Sequence, residues 1–371
     1  MQLEDLPTPC LVLDRGILER NLRRMSSAMH RLGVSLRPHM KTAKSADVAR
    51  MAVAGEAGGI TVSTLAEAEY FAERGFQDIT IAAGTTPAKL DRIQGFISND
   101  LILNVITDDV AVARAIASHA APVRALIEID SGENRGGVDP EGDAVIEIGR
   151  ALGEKLSGVL THAGHSYECR TVEQVREVAE QERVAVTTAA ERLRSSGMAC
   201  ETVSVGSTPT MSHVDRLDGV TEVRPGVYMF CDLFQAAIRS CTRDDIALTV
   251  LASVIGCRPD ANQIVLDAGA LALSKDRSTA STPEDAGFGL VWDLDGKPGF
   301  GECVIHEAYQ EHGVARGLDG GLKLPFDELK VGTKVRVAMN HSCLTAAAHD
   351  RYYVVDGSRE VIDEWGRVNG W

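Results

Sequence analysis

A chain of 371 residues is long for a single hydrophobic core, so two domains are expected. With 44% hydrophobic and 25% charged residues it has a globular composition, and a formal net charge of −15 argues against nucleic acid or an anionic membrane as partner. No run reaches the roughly 20 apolar residues of a membrane span, and Met1-Gln2-Leu3-Glu4-Asp5 carries acids where a signal peptide carries lysines.

After the turn-like Leu6-Pro7-Thr8-Pro9, the pattern predicts a strand over Cys10–Leu13 and an amphipathic helix from about Ile17 to Leu32. Short apolar strands follow near 34–40, 59–64, 78–82, 101–107, 124–130, 157–162, 202–206 and 221–229. Helical stretches part most of them, among them Thr64–Arg74, Thr86–Phe96, Ala111–His119 and the long Thr171–Ser196. Eight β units separated by helices have the rhythm of a closed (β/α)8 barrel, assigned here to residues 15–240. An open doubly wound sheet is the structural alternative, but no GxGxxG follows the first strand. Past about residue 240 the helices disappear. Ala247–Ile255, Gln263–Leu266, Lys334–Met339 and Tyr352–Asp356 read as strands, with turns at Pro298–Gly301 and Gly317–Gly321. Residues 241–371, joined by 1–14, are expected to form a mainly β domain. The eight cysteines sit singly with no CxxC pair, the usage of a reducing cytoplasm.

Chemistry-bearing residues gather at the predicted strand ends. Arg37-Pro38-His39-Met40-Lys41-Thr42 closes one strand with a lysine, the residue that Schiff-base chemistry needs in a partly dry pocket. Asp130–Val138 carries Arg135, which either enters the barrel mouth or stays on the surface. Thr161–Tyr167 ends the next strand with His162, His165, Ser166 and Tyr167, groups that handle protons. Val205-Gly206-Ser207-Thr208-Pro209-Thr210 and Arg224-Pro225-Gly226-Val227-Tyr228 follow the seventh and eighth strands, where barrels of this kind hold phosphate. The bland alternative is two ordinary turns rich in Gly, Ser, Thr and Pro. In the β domain, Asn340-His341-Ser342-Cys343 reads as strand. Residues i and i+2 then share a face, so His341 and Cys343 can meet one ion of the zinc type. Gln310-Glu311-His312-Gly313 reads as a polar loop.

Taken in order, these segments resemble the D-threonine aldolase / D-serine dehydratase family of fold-type III pyridoxal-phosphate enzymes, related to the alanine racemase N-terminal barrel. The resemblance runs from Thr8–Asp14 through Gly59–Thr64, Asp267-Ala268-Gly269 and Glu311-His312-Gly313 to His341–Cys343, essentially the whole chain. It implies pyridoxal phosphate and a divalent metal as cofactors, a small D-β-hydroxyamino acid as substrate, and a homodimer. It further implies that Lys41 forms the internal aldimine and that Arg135 faces the pyridine nitrogen. Tyr167, Gly206, Ser207, Thr208, Gly226 and Tyr228 would lie around the phosphate, and His162 and Tyr167 would join Lys41 in catalysis. In this family a His-x-Cys pair is associated with dehydratases and His-x-Asp with aldolases. The chain therefore reads as a dehydratase of substrates such as D-serine or D-threo-3-hydroxyaspartate, yielding a 2-oxo acid and ammonia. Lys41 would remove the α-proton, and the ion at His341 and Cys343 would assist departure of the β-hydroxyl. Zinc suits the thiolate, with manganese, cobalt and magnesium as alternatives. Retro-aldol cleavage is the enzymatic alternative, and a non-catalytic pyridoxal-phosphate protein the other class. Arg37, Arg277 and His165 are candidates for holding a substrate side-chain carboxylate.

Overall fold

The computed structural model describes residues 1–98, 100–317 and 323–371, and the structural statements below concern those. Of the loop read over 317–321, Gly317 ends a strand and 318–321 lie outside the described residues. The chain divides into two units, Arg24–Gly226 with Val368–Trp371, and Met1–Arg23 with Val227–Arg367.

The first strand, β1 (Cys10–Asp14), belongs to the second unit. The first unit is an eight-stranded parallel sheet of β2 (Ser35–Leu36), β3 (Ile60–Val62), β4 (Asp78–Gly84), β5 (Ile102–Thr107), β6 (Arg124–Glu128), β7 (Leu156–Leu160), β8 (Thr202–Val205) and β9 (Glu222–Val223). Consecutive strands pair in sequence order from β3 to β9, and β9 then pairs with β2. The curl closes where β2 has formally ended. His39 bridges Thr61 in parallel, Met40 donates its N–H to the Thr61 carbonyl at 2.7 Å, and His39 donates to the Pro225 carbonyl at 2.9 Å. The sheet is therefore a barrel, as the spacing of apolar runs predicts. Its strands read as near-continuous apolar runs because both faces are covered; all five residues of β7 are buried.

Local chemistry sets the helix starts. Thr64, Asp109 and Thr171 each cap a helix by accepting the N–H three residues on, and Thr171 completes a reciprocal box with Gln174. The strand read over 221–229 is shorter in the fold. It pairs only at Glu222 and Val223, and Val227–Met229 is a 3-10 turn. The loop read over 205–210 likewise turns helical at Thr208, with Ser207 as its cap.

The second unit contains β10 (Leu248–Arg258), β11 (Gln263–Leu266), β12 (Leu290–Trp292), β13 (Cys303–Ala308), β14 (Gly313–Gly317), β15 (Lys334–Ala338), β16 (Arg351–Val355) and β17 (Asp363–Gly366). The long β10 carries the topology. Leu248–Leu251 pairs with β1, Val250–Ser253 with β15, and the segment beyond a register shift at Val254 with β11. The ring β10–β11–β14–β13–β12–β15 closes on itself, and β1, β16 and β17 extend the sheet from β10. Gln310–His312 forms the polar turn between β13 and β14, where Tyr309 donates its N–H to the His312 carbonyl at 2.8 Å. Among the described residues no helix is long and apolar enough to cross a membrane.

Candidate active site and metal-ligand pair

The barrel places its candidates at one end because each follows the carboxyl end of a strand. Lys41 comes two residues after the His39 bridge, in a turn, and its backbone N–H points at His39 Nδ1 at 3.4 Å. Its side chain is exposed rather than enclosed in the partly dry pocket expected from sequence. His162 follows β7 and Arg135 lies on the loop after β6, where its guanidinium stands 3.2 Å from Glu133 and remains more than half exposed. That loop is ordered by Asp130 Oδ1, which accepts the N–H of Gly132 at 2.9 Å and of Asn134 at 3.1 Å. The Tyr167 ring centroid is 6.5 Å from that of His162.

Electrostatics bind these groups into one site. Burial holds the His39 imidazole well below its ordinary value, reinforced by the charges of Lys41 and Arg224. His162 is held low in the same way, by burial and then by Lys41, Arg135 and Arg224. Both imidazoles are therefore neutral at physiological pH and able to take a proton. Arg224 is buried, donating through Nη2 to the Thr161 carbonyl and through Nη1 to Ser204 Oγ, each at 2.5 Å. A chain of net charge −15 thus gathers three cations at one end of its barrel.

The glycines there have steric reasons. Gly206 has φ +114°, and a Cβ on it would stand 3.1 Å from the Arg224 nitrogen. A Cβ on Gly226 would come within 2.8 Å of the His39 carbonyl oxygen. Beside Gly206, three hydroxyls form a chain, Ser166 to Ser207 at 2.9 Å and Ser207 to Thr210 at 3.0 Å. The N–H groups of Gly206 and Ser207 are engaged inside the protein, with Glu182 and Thr210, so they shape this loop. Shape, hydroxyls and local positive charge fit a phosphate monoester with a reactive carbonyl near Lys41. Tyr228, placed around the phosphate from sequence, is buried in the second unit.

Glu182 was not singled out from sequence. It lies on the helix Val172–Ser195 within the stripe Val175, Val178, Ala179, Glu182, Ala185, Val186, Ala189, and a carboxylate on an apolar stripe is the signal that was missed. It is fully buried, and its Oε1 accepts the N–H of Gly206 at 2.8 Å and of Ala163 at 3.2 Å. Burial pushes its pKa from 4.5 to about 7, against the pull of the Gly206 N–H and Arg224. The folded protein holds this proton more tightly than the unfolded chain, so the associated stability is full below pH 4.5 and is lost as pH rises through about 7. The loss amounts to about 3 kcal/mol. Urea midpoints of wild type and Glu182→Gln at pH 5 and pH 8 test this. The glutamine variant should gain on wild type at pH 8, and parallel pH curves would refute the assignment.

In the second unit, His341 and Cys343 are not on a strand. His341 follows β15 as the N-cap of a short helix, Ser342–Ala346, and Cys343 lies in that helix. His341 is still extended at the N-cap, with φ −138° and ψ 100°, and from there its imidazole meets the Cys343 thiol in the first turn of the helix. Burial works against protonating His341, but contacts with Asp276 and Cys343 outweigh it and carry the imidazole up to about 11. Asp276 is also half-buried, yet His341 and Ser278 bring it down to about 2. Its Oδ2 lies 3.6 Å from His341 Nδ1. An imidazole and a thiol in contact form a donor pair for a zinc-type ion, with further positions left to water or substrate. Among the described residues no group of three or more His, Cys, Asp or Glu side chains converges on one point.

The candidates for a side-chain carboxylate are engaged elsewhere. Arg37 Nε donates to Glu222 at 2.7 Å, and its two terminal nitrogens donate to Asp78 at 2.8 and 2.9 Å. Arg277 pairs with Asp285 at 2.6 Å over the Phe288 ring, and His165 Nε2 lies 3.4 Å from Gln181 Oε1.

Comparison with known proteins follows this division of the chain. Residues 13–233 match the family model described as alanine racemase, N-terminal domain, and residues 247–355 match a serine dehydratase domain. The chain is 43% identical to D-threo-3-hydroxyaspartate dehydratase of Delftia sp. strain HT23, over 99% of this chain and 98% of that one. It is 32% identical to D-threonine aldolase of an Arthrobacter species, over 98% and 93%. The solved structure of the Delftia enzyme superposes with a TM-score of 0.95 at 42% identity, covering 100% of each chain. Two variants of that enzyme, a cysteine-to-alanine mutant in a metal-free form and a histidine-to-alanine mutant two positions earlier, superpose with the same score.

Proposed function

The chain belongs to the alanine racemase-like, fold-type III family of pyridoxal-phosphate enzymes, and from that premise we propose that it dehydrates D-β-hydroxyamino acids such as D-threo-3-hydroxyaspartate or D-serine, releasing a 2-oxo acid and ammonia. The observation that carries this reading is the contact between His341 and Cys343 at the start of one short helix, a soft donor pair suited to a metal that acts on a hydroxyl.

When bound, pyridoxal phosphate supplies an electron sink for charge left at Cα, and a divalent ion supplies a Lewis acid for the β-oxygen. Lys41 holds the cofactor, and its Nζ then takes the α-proton from the substrate. His162, neutral at its nitrogens, and the Tyr167 hydroxyl serve as proton carriers. Arg135 would face the ring nitrogen of the bound cofactor and, as a permanent cation, would disfavour its protonation. Tyr167, Gly206, Ser207, Thr208, Gly226 and Tyr228 are assigned to the phosphate. His341 and Cys343 hold the ion, for which the thiol favours zinc over manganese, cobalt or magnesium. A homodimer belongs to the same reading, and so does a reducing cytoplasm, which eight cysteines with none in a disulfide support.

Product analysis on D-serine, D-threonine and D-threo-3-hydroxyaspartate, with and without a chelator, tests the reading. The expected outcome is ammonia with a 2-oxo acid, lost on chelation and restored by zinc. Glycine with an aldehyde would instead favour the aldolase reading, which the identity to D-threonine aldolase keeps in view. Turnover indifferent to the chelator would remove His341 and Cys343 from the mechanism.

A further inference from the structure

Around the His341–Cys343 pair, three segments far apart in sequence are tied together, and each tie involves a buried polar group. Asn340 is almost fully buried, and its side-chain amide donates to the Asp276 carbonyl at 2.9 Å and to the Gly287 carbonyl at 2.7 Å. Its Oδ1 accepts from Thr279 Oγ1 at 3.0 Å, so every hydrogen-bonding group of the amide side chain is in use. Thr345 Oγ1 donates to the Leu273 carbonyl at 2.8 Å, holding the other end of the same loop. On the opposite side, buried Asp232 caps two helices at once, accepting the Gln235 N–H at 2.8 Å and the Ser342 N–H at 3.0 Å. The loop 274–281 is thereby fixed against the turn that carries His341, and the side chain it presents to the imidazole is Asp276. That carboxylate is itself ordered by the Ser278 N–H at 3.0 Å and the Ser278 hydroxyl.

We propose that Asp276 is a positioning residue for the metal. Its carboxylate takes the Nδ1–H of His341 and so fixes the tautomer in which Nε2 is the ligating nitrogen, while Asn340 holds the Asp276 backbone in register. A metal-bound imidazole ordinarily donates its other N–H to a carboxylate or carbonyl, which fixes the ring and raises its basicity. The 3.6 Å approach of Asp276 Oδ2 is to Nδ1, which leaves Nε2 for the ion. Asn340 supplies what one carboxylate on a loop lacks. With its own backbone pinned by the residue next to the ligand, Asp276 cannot shift without moving the turn that bears His341.

This inference rests on the reading that His341 and Cys343 hold the ion, and the test separates the two. Zinc affinity of the pyridoxal-phosphate-loaded protein is measured by competition with a chromophoric chelator, for wild type, His341→Ala, Asp276→Ala, Asp276→Asn and Asn340→Asp. Asp276→Ala should bind zinc about 10- to 100-fold more weakly. Asp276→Asn, which keeps an acceptor oxygen, should recover part of that loss. Asn340→Asp keeps the shape but loses both donors, and should weaken zinc binding in the same direction. The cofactor absorbance of all four variants should match wild type. Nitrogen chemical shifts of ¹⁵N-histidine-labelled, zinc-loaded wild type should show Nε2 bound and Nδ1 protonated. Ligation through Nδ1, or unchanged zinc affinity in Asp276→Ala while His341→Ala loses binding, would overturn the proposal. Unchanged affinity in His341→Ala itself would instead overturn the reading it rests on.

Discussion

Replacing Lys41 with alanine is expected to abolish the visible absorbance of bound pyridoxal phosphate and to lower turnover at least about 10³-fold. The size of the effect follows from how few amines stand near. Lys44, the other lysine of this turn, pairs with the buried Glu67 at 3.2 Å and is not available to replace it. The two imidazoles flanking the site are neutral and able to move protons, but neither supplies a primary amine. Because the Lys41 side chain is exposed, the substitution should leave stability within about 0.5 kcal/mol of wild type, so lost activity is not confused with lost fold. The measurement is the cofactor spectrum of the purified variant beside its urea midpoint. A wild-type spectrum would remove Lys41 from the role proposed for it.

The second large effect is on stability. Arg37 lies in the same hexapeptide as Lys41, yet it serves the barrel wall. Its guanidinium joins β2 to Glu222 at the start of β9 and to Asp78 at the start of β4 through three hydrogen bonds. Glu222 is buried too and accepts a further bond from Ser204 Oγ at 2.6 Å, so the network spans β8 as well. Burial opposes the charge of Arg37, but Glu222 and Asp78 raise its pKa above the ordinary arginine value. Removing the cation leaves Glu222 buried with its main counter-charge gone. Arg37→Met should therefore destabilise the barrel unit by about 3–5 kcal/mol. Adding Glu222→Gln should recover a substantial part, because the stranded charge goes with it. The check is the urea midpoint of the single and double variants. A single variant within 1 kcal/mol of wild type would show that the network contributes little net stability.

How far each feature was legible depends on the range of the interaction that makes it. The alternation of apolar runs with helical stretches is a local signal, and eight strands follow it. The expected (β/α)8 barrel and the separate β domain both stand in the fold, and the two compact units divide after Gly226. Lys41, Arg135, His162 and Gly206 fall at strand ends where a chain-order reading places them, and the charges of Lys41 and Arg135 reach His162. His39 was within reach of the same logic, since it sits two residues before Lys41 at the end of an extended segment. Glu182 had a signal too, an acid on an apolar stripe.

What the chain determined by itself is the order of elements, the glycines at Gly206 and Gly226, and the set of chemical groups available at each strand end. Those depend on neighbours a few residues away, where periodicity and backbone sterics act. Only the tertiary structure decided which groups meet and which are already occupied. Arg37 reads in sequence as a candidate for a substrate carboxylate, but its partners Asp78 and Glu222 lie 41 and 185 residues further on. His341 and Cys343 read as strand neighbours, but a helix begins at Ser342, and Asp232 accepts its N–H from 110 residues upstream. Asp276 meets His341 across a span that no local pattern marks. Buried polar groups must find partners wherever the fold brings them, and no rule of spacing along the chain identifies a partner supplied by another strand.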